Sequence, residues 1–324
     1  MLKQLVLLGL VFWTWGSVAW GQGQEVRQYA PVPRGAIGPA IPQKGYLVEE
    51  IQGGVFWVTE GVYQALIITT GEGVIVVDAP PTIGDKLLQA IADVTSEPIK
   101  YFIYSHQHKD HVGAASIMPP GTIFIGHEEV AKRLNSANDP NRPAPSVTFS
   151  DEYVLRLGNQ TVELSNKGTN HEPGSIFIYL PRQKVLMLVD VVFPGWVPFQ
   201  DFALAKNITG YFEAHDQLLA YDFDYFVGGH LTRLGDRQDV ETAKEYILDV
   251  QTNIMKAFQT VDFNAIAGEV GYENKWLLFK VYLDALAEAC AADTIPKWID
   301  RLGGADVFTF DHCWMMQEHI RIDY

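Results

Sequence analysis

Ser105-His106-Gln107-His108-Lys109-Asp110-His111 places three imidazoles and a carboxylate within six consecutive positions of a 324-residue chain. The stretch follows residues 99–104, a run of β-branched and aromatic residues that reads as a strand. In an extended segment residues i and i+2 point to the same side, so His106 and His108 can aim at one cation. A helix expected to begin near His111 redirects Asp110 and His111 toward a second. Neutral imidazole and carboxylate are ligands that suit zinc and neighbouring first-row metals. A lone histidine is commonly a surface or satisfied core residue, but that reading poorly explains four ligand-type side chains this close together.

Outward from this stretch the chain is dense in short strand signals. Residues 46–51, 55–59 and 62–69 precede the apolar strand 74–77, which Asp78 closes. Residues 86–94 have helical spacing, with Leu87, Leu88, Ile91 and Val94 on one face. The second half repeats the style, with strands over 161–164, 175–180, 185–189 and 225–228 and helices over 208–219 and 240–261. Strands followed by helices, twice over, predict an α/β fold of two sheets covered by helices. From about residue 236 the pattern is helical. Residues 274–291 are apolar nearly all round, as in a helix packed on two sides, and further helices are expected over 294–302 and 309–322. The organisation read from these signals is a targeting segment (1–21), an extended, weakly ordered Gly/Pro/Gln-rich arm (22–44), a catalytic core (45–235) and a helical C-terminal extension (236–324) to which no chemistry is assigned.

The pattern His-x-His-x-Asp-His after a strand resembles that of the metallo-β-lactamase-fold superfamily, and residues 106–111 match every specified position. The resemblance runs from about Tyr46 to about Leu234. Asp78 matches an early aspartate that supports the metal ligands from behind. His171, in Gly168-Thr169-Asn170-His171-Glu172-Pro173-Gly174-Ser175, matches a single downstream histidine. Asp190, after Val185-Leu186-Met187-Leu188-Val189, matches a bridging carboxylate, and His230, in Val227-Gly228-Gly229-His230, matches the last histidine. The fold this implies is a four-layer αβ/βα sandwich with metals at one edge between the sheets. The ligand set it implies is His106, His108 and His171 on a first ion and Asp110, His111 and His230 on a second, with Asp190 bridging. Two Zn2+ per chain are implied, with Fe or Mn as alternative loads.

On this reading the chain is a hydrolase in which a metal-bridging hydroxide attacks the carbonyl of an ester, thioester, lactone or lactam. Asp110 would both ligate and orient that group or pass its proton on. Antibiotic-hydrolysing members of the family usually carry Cys or Ser where Asp190 stands, and members with a di-iron redox centre generally carry Glu where His108 stands. Two rivals stay open: a mononuclear iron dioxygenase acting on a small thiol or persulfide, and a true β-lactamase. A non-catalytic protein on the same fold is disfavoured by the intact Asp110. Phe193, Trp196 and Phe199 follow Asp190 directly and read equally as a substrate pocket for an apolar group or as ordinary loop packing. His127 reads as a surface residue opening a helix. His215, His312 and His319, on helical stretches, take the same reading.

Composition bounds the partners. With 48% hydrophobic residues the chain can build a core, which excludes global disorder. A net charge of −15, from 24 basic and 39 acidic residues, repels polyanions. No Lys/Arg cluster offsets it, so the expected partner is a small-molecule substrate, with no nucleic acid. Met1-Leu2-Lys3 followed by the apolar run 5–20 has the pattern of a secretory signal peptide. An uncleaved membrane anchor is the alternative, although the run is marginal for about 30 Å of hydrocarbon. The expected location is secreted or periplasmic. Cys290 and Cys313 read as two buried thiols, or as one disulfide in an oxidising compartment.

Overall fold

Period-2 alternation in the central strands sends successive side chains into two different cores. Ile75 and Val77 face one core while Val74 and Val76 face another, and Leu66 and Ile68 are separated in the same way from Ala65 and Ile67. A strand buried on both faces needs a layer on each side, and the computed structural model, which describes residues 28–231 and 233–323, supplies them. The expected targeting segment, residues 1–21, lies outside the described residues.

The first sheet comprises β1 (Leu47–Gln52), β2 (Val55–Thr59), β3 (Gln64–Thr69), β4 (Val74–Val77), β5 (Ile99–Ile103), β6 (Ile123–His127) and β7 (Val147–Phe149), in that spatial order. Strands β1 to β4 form an antiparallel meander, and β4 to β7 run parallel. The second sheet has the order β12-β11-β10-β9-β8, from β8 (Glu152–Leu157), β9 (Gln160–Ser165), β10 (Phe177–Leu180), β11 (Val185–Met187) and β12 (Tyr225–Val227). Only the β11–β12 pair in it is parallel.

Helices α1 (Lys86–Val94) and α3 (Glu128–Ala137) cover the outer face of the first sheet through Leu87, Ile91, Val130 and Leu134. The short α2 (Lys109–Val112) lies between them in the chain. The outer face of the second sheet, with Phe177, Leu186 and Phe226, is covered by α5 (Ile208–Leu219), α6 (Arg237–Thr260), α8 (Lys275–Trp298) and α9 (Ala305–Ile322). The result is a four-layer αβ/βα sandwich. The C-terminal helices share the core of the second sheet: Tyr246, Leu286, Trp298 and Met316 are fully buried in it.

Several expectations are corrected. Strands β6, β7 and β8 and helix α7 (Phe263–Val270) add to those expected from the sequence, and the helix expected to open at His127 is α3. β8 leaves alternate residues exposed at the sheet edge, so it lacks the apolar run that marks a central strand. The helices expected over 274–291 and 294–302 are one helix, α8. Pro296 lies in its last turn, where it removes the N–H that would donate one turn back to the Ala292 carbonyl. The described part of the arm, residues 28–44, is docked: Ala36 is buried, and Ile41 packs against the core between the sheets. The four histidines expected at the surface are buried. His127 caps α3 by accepting from the Glu129 N–H, and its Nε2 lies 2.7 Å from the Ser150 carbonyl. His215 donates Nδ1–H to the Tyr211 carbonyl, one helical turn back. His312 accepts from the Tyr246 hydroxyl at 2.7 Å and donates to the Phe199 carbonyl at 3.1 Å. His319 lies beside Thr209. Burial pushes both His215 and His312 down to about 4, so they stay neutral. Cys290 on α8 and Cys313 on α9 form a disulfide across 23 residues. In the chain-entropy picture such a link stabilises by about 3 kcal/mol.

Candidate metal centre

In each sheet a parallel pair of strands ends at the same edge: β4 with β5, and β11 with β12. Crevices at the carboxyl ends of parallel strands are where open α/β sheets collect ligands. Asp78 follows β4, His106 follows β5, Asp190 follows β11 and His230 follows β12. Both aspartates have left-handed backbones, with φ of 62° and 65°. Aspartate tolerates that region better than most residues, and holding it there turns the strand end sharply. Gly228 allows β12 to close on this edge, since a Cβ there would stand 2.3 Å from the Val192 carbonyl oxygen.

The structure gathers the seven ligand-type residues into two adjoining groups. His106, His108, His171 and Asp190 form one, and Asp110, His111 and His230 the other, with donor atoms within 4.8 Å of one another in each. His108 has extended backbone and caps α2, so His106 and His108 face one group, while the turn into α2 carries Asp110 and His111 to the other. Asp190 lies at the junction. Its Oδ2 is 3.4 Å from His106 Nε2, 3.3 Å from His111 Nε2 and 3.2 Å from His171 Nε2, and its Oδ1 is 2.9 Å from His230 Nε2.

These donors fit cations. His108 Nδ1 and His171 Nε2 converge to 3.0 Å, and so do His111 Nε2 and His230 Nε2. Two nitrogens each about 2.0–2.1 Å from a tetrahedral zinc stand roughly 3.3 Å apart, so this spacing is close to that of ligands sharing an ion. The buried His106 Nε2 has no hydrogen-bond partner, a cost that a metal bond removes. Burial holds His106 and His171 below the usual histidine range, which keeps their lone pairs available. His111 is the exception: burial disfavours its charge, but Asp190, Asp110 and Asp78 outweigh that and raise it to about 9. Burial opposes the charge of Asp190 too, yet His111, His171 and His230 hold it well below the carboxylate range.

Asp78 is fully buried behind the ligands. Its Oδ1 accepts the Ser105 N–H at 2.9 Å, fixing the turn that presents His106, and burial raises it to about 6. Two further residues belong to the site without a signal in the sequence. Glu172, only 2% exposed, places Oε1 3.0 Å from His108 Nε2, which leaves Nδ1 of that ring for the metal group. Arg133 and Lys206, each 3.8 Å away, balance its charge. Its adjacency to His171 is visible in the sequence, but its partner is His108, 64 positions away. Tyr63 holds its ring 4.7 Å from that of His230, tilted by 49°, with its phenol beside Asp110. A carboxylate fixing the outer nitrogen of a ligating imidazole sets its tautomer and orientation. Glu172→Gln is therefore expected to weaken metal binding ten- to a hundredfold, read by competition with a chromophoric chelator. Unchanged affinity would remove Glu172 from that role.

A cavity of about 550 Å³ opens over both groups. Phe193, Trp196 and Phe199 all line it. Trp196 combines both readings of this loop, since its Nε1–H also donates to the Ala36 carbonyl and its ring packs on Gly303. Leu204 lines the cavity from α4 (Gln200–Leu204), a turn in which Asp201 to Leu204 all have φ between 52° and 59°. Left-handed helical backbone costs L-residues roughly 1–2 kcal/mol each. The turn is held by the Ala203 N–H donating to the Phe199 carbonyl and by Phe202, buried and stacked on His312. The C-terminal extension, expected to carry no chemistry, supplies Val307 and Phe308 to the cavity wall.

Residues 58–230 match the family model of the metallo-beta-lactamase superfamily. The chain is similar to the 2,4-dinitroanisole O-demethylase subunit alpha of Nocardioides sp. (strain JS1661), at 28% identity over 216 residues. That match covers 63% of this chain and 65% of the relative, so it spans less than two thirds of the relative's length. Among solved structures, a metallo-beta-lactamase from Pontibacter korlensis superposes with a TM-score of 0.54 at 23% identity, covering 62% of this chain and 97% of that one. Metallo-beta-lactamase IND-7 gives a TM-score of 0.54 at 17% identity, covering 63% and 98%. The matched region ends at His230, ahead of the C-terminal helices.

Proposed function

The chain belongs to the metallo-beta-lactamase superfamily, and on that premise we propose that it is an exported hydrolase holding two cations, most simply Zn2+, and cleaving an ester, thioester or lactone. The observation that carries this reading is the placement of Asp190, one buried carboxylate within reach of imidazoles from both groups. His106, His108 and His171 would hold one cation, Asp110, His111 and His230 the other, and Asp190 both. Cations bound there supply Lewis acidity and activate water at neutral pH.

The chain's own residues do the rest. Asp110 is part-exposed and faces the cavity, where a carboxylate can orient water and take up a proton. Tyr63 keeps its proton, because burial and then Asp110 raise its phenol above the usual range, so it serves as a hydrogen-bond donor at the same spot. The apolar rings of the cavity exclude bulk water from the reacting bond. Export is supported by the apolar N-terminal run and by the Cys290–Cys313 disulfide, which persists in oxidising compartments.

The expected result is chelator-sensitive hydrolysis of a simple aryl ester at the same rate with and without oxygen, with one acid released per bond cleaved. Oxygen consumption matching product formation would overturn this reading. The relative named for O-demethylation supports a second one, cleavage of an aryl methyl ether. Hydrolytic cleavage of such a bond releases methanol, whereas oxidative cleavage releases formaldehyde, so product analysis separates the two.

A further inference from the structure

The ionisable residues lining the cavity are those of the site itself: Tyr63, His108, Asp110, His171, Asp190 and His230. No Lys or Arg is among the described lining residues. The cations nearby are committed elsewhere. Arg233 clasps Asp239 with two donors at 2.8 and 2.6 Å and the Gly35 carbonyl with a third. Lys206 faces Glu172. Asp201 lies between the lining residues Phe199 and Ala203 in the chain, and it adds a carboxylate there, not a cation. The chain as a whole carries −15.

An anionic group distal to the metals would thus be buried without a counter-ion, which is costly, and would approach against the mean field. The walls offer the reverse chemistry. Phe193 and Trp196 from the loop after Asp190 and Phe308 from α9 line the cavity together, with Val62, Leu204 and Leu231. Flat rings gain from aromatic walls beyond simple area burial. A volume of about 550 Å³ falls within the range of pockets that take a drug-sized ligand.

We infer that the cavity selects neutral aromatic substrates, an uncharged ring seated between Trp196 and Phe308 with its scissile bond over the metal groups. The inference rests on the hydrolase reading only for the identity of that bond. The ring site itself follows from the walls and from the missing cation. Phe308 belongs to the C-terminal extension, so that extension acts as a specificity element.

The test uses the metal-loaded full chain and two probes that hydrolysis does not consume, 2-acetonaphthone and 6-acetyl-2-naphthoate, which differ by a distal carboxylate. In equilibrium dialysis the neutral ketone is expected to bind at least about tenfold more tightly, given the cost of an unpaired buried charge. Phe308→Ala is expected to weaken its binding about fivefold or more. Val62→Lys, a change at an exposed rim position, is expected to recover most of the affinity for the carboxylate. Equal affinity for the two probes overturns the inference, as does indifference of both probes to both variants. The matched esters, 2-naphthyl acetate and its 6-carboxy analogue, separate the two claims. Discrimination in dialysis with neither ester cleaved leaves the aromatic site standing and removes carbonyl hydrolysis. Cleavage of both esters at equal kcat/KM, with equal probe binding, keeps the hydrolase and removes the selectivity.

Discussion

Asp190→Asn is expected to lower kcat/KM by about a thousandfold or more, equivalent to at least about 4 kcal/mol of transition-state stabilisation. It should also leave the purified protein with less than one bound metal per chain. The substitution keeps the shape of the side chain but removes a charge that four imidazoles approach to within 2.9–3.4 Å. Both groups lose their shared anion at once, so the loss should exceed that from any single histidine, which belongs to one group only. Elemental analysis beside kinetics checks the point. A D190N variant with two metals and activity within tenfold of the parent would remove Asp190 from the bridging role.

Stripping the metals carries the second large effect. A ligand at a thousand times its dissociation constant stabilises by about 4 kcal/mol, so chelation should lower the melting temperature by several degrees or more. The dependence on pH has a definite sign. In the metal-free chain His111 is raised to about 9, so at neutral pH it must shed a proton before it can ligate. Metal affinity should therefore climb by up to tenfold per pH unit from 7 toward 9 and flatten above that. The metal-free chain moves the other way. A histidine raised from an ordinary value near 6.5 contributes its full stability below that value and loses it as pH rises through about 9. The gap in melting temperature between loaded and stripped protein should thus widen from pH 7 to 9. A gap and an affinity both indifferent to pH in that window would show that His111 is already neutral.

The sequence is most legible where function and geometry are local. His106, His108, Asp110 and His111 sit within one strand end and the turn into α2, so residue spacing alone predicts which way each side chain faces. Helices α1 and α5 are legible to the residue because their periodicity is unambiguous. What stays hidden depends on partners distant in the chain. Glu172 reaches His108 across 64 positions, and His312 pins the Phe199 carbonyl across 113. Phe308 carries no local sign that it will face a cavity built around residue 190. The left-handed run from Asp201 to Leu204 contradicts local propensity outright and persists through tertiary contacts with Phe202 and His312.

The docked arm has a practical consequence for anyone engineering this chain. Ala36 lies under Gly195, its carbonyl receives the Trp196 indole, and Arg233 grips Gly35. The leader of the folded region is thus a buttress of the aromatic wall. A chain trimmed back to β1 would keep every metal ligand and still carry an altered recognition surface. Tags, fusions and domain grafts are therefore better joined ahead of this arm than in place of it.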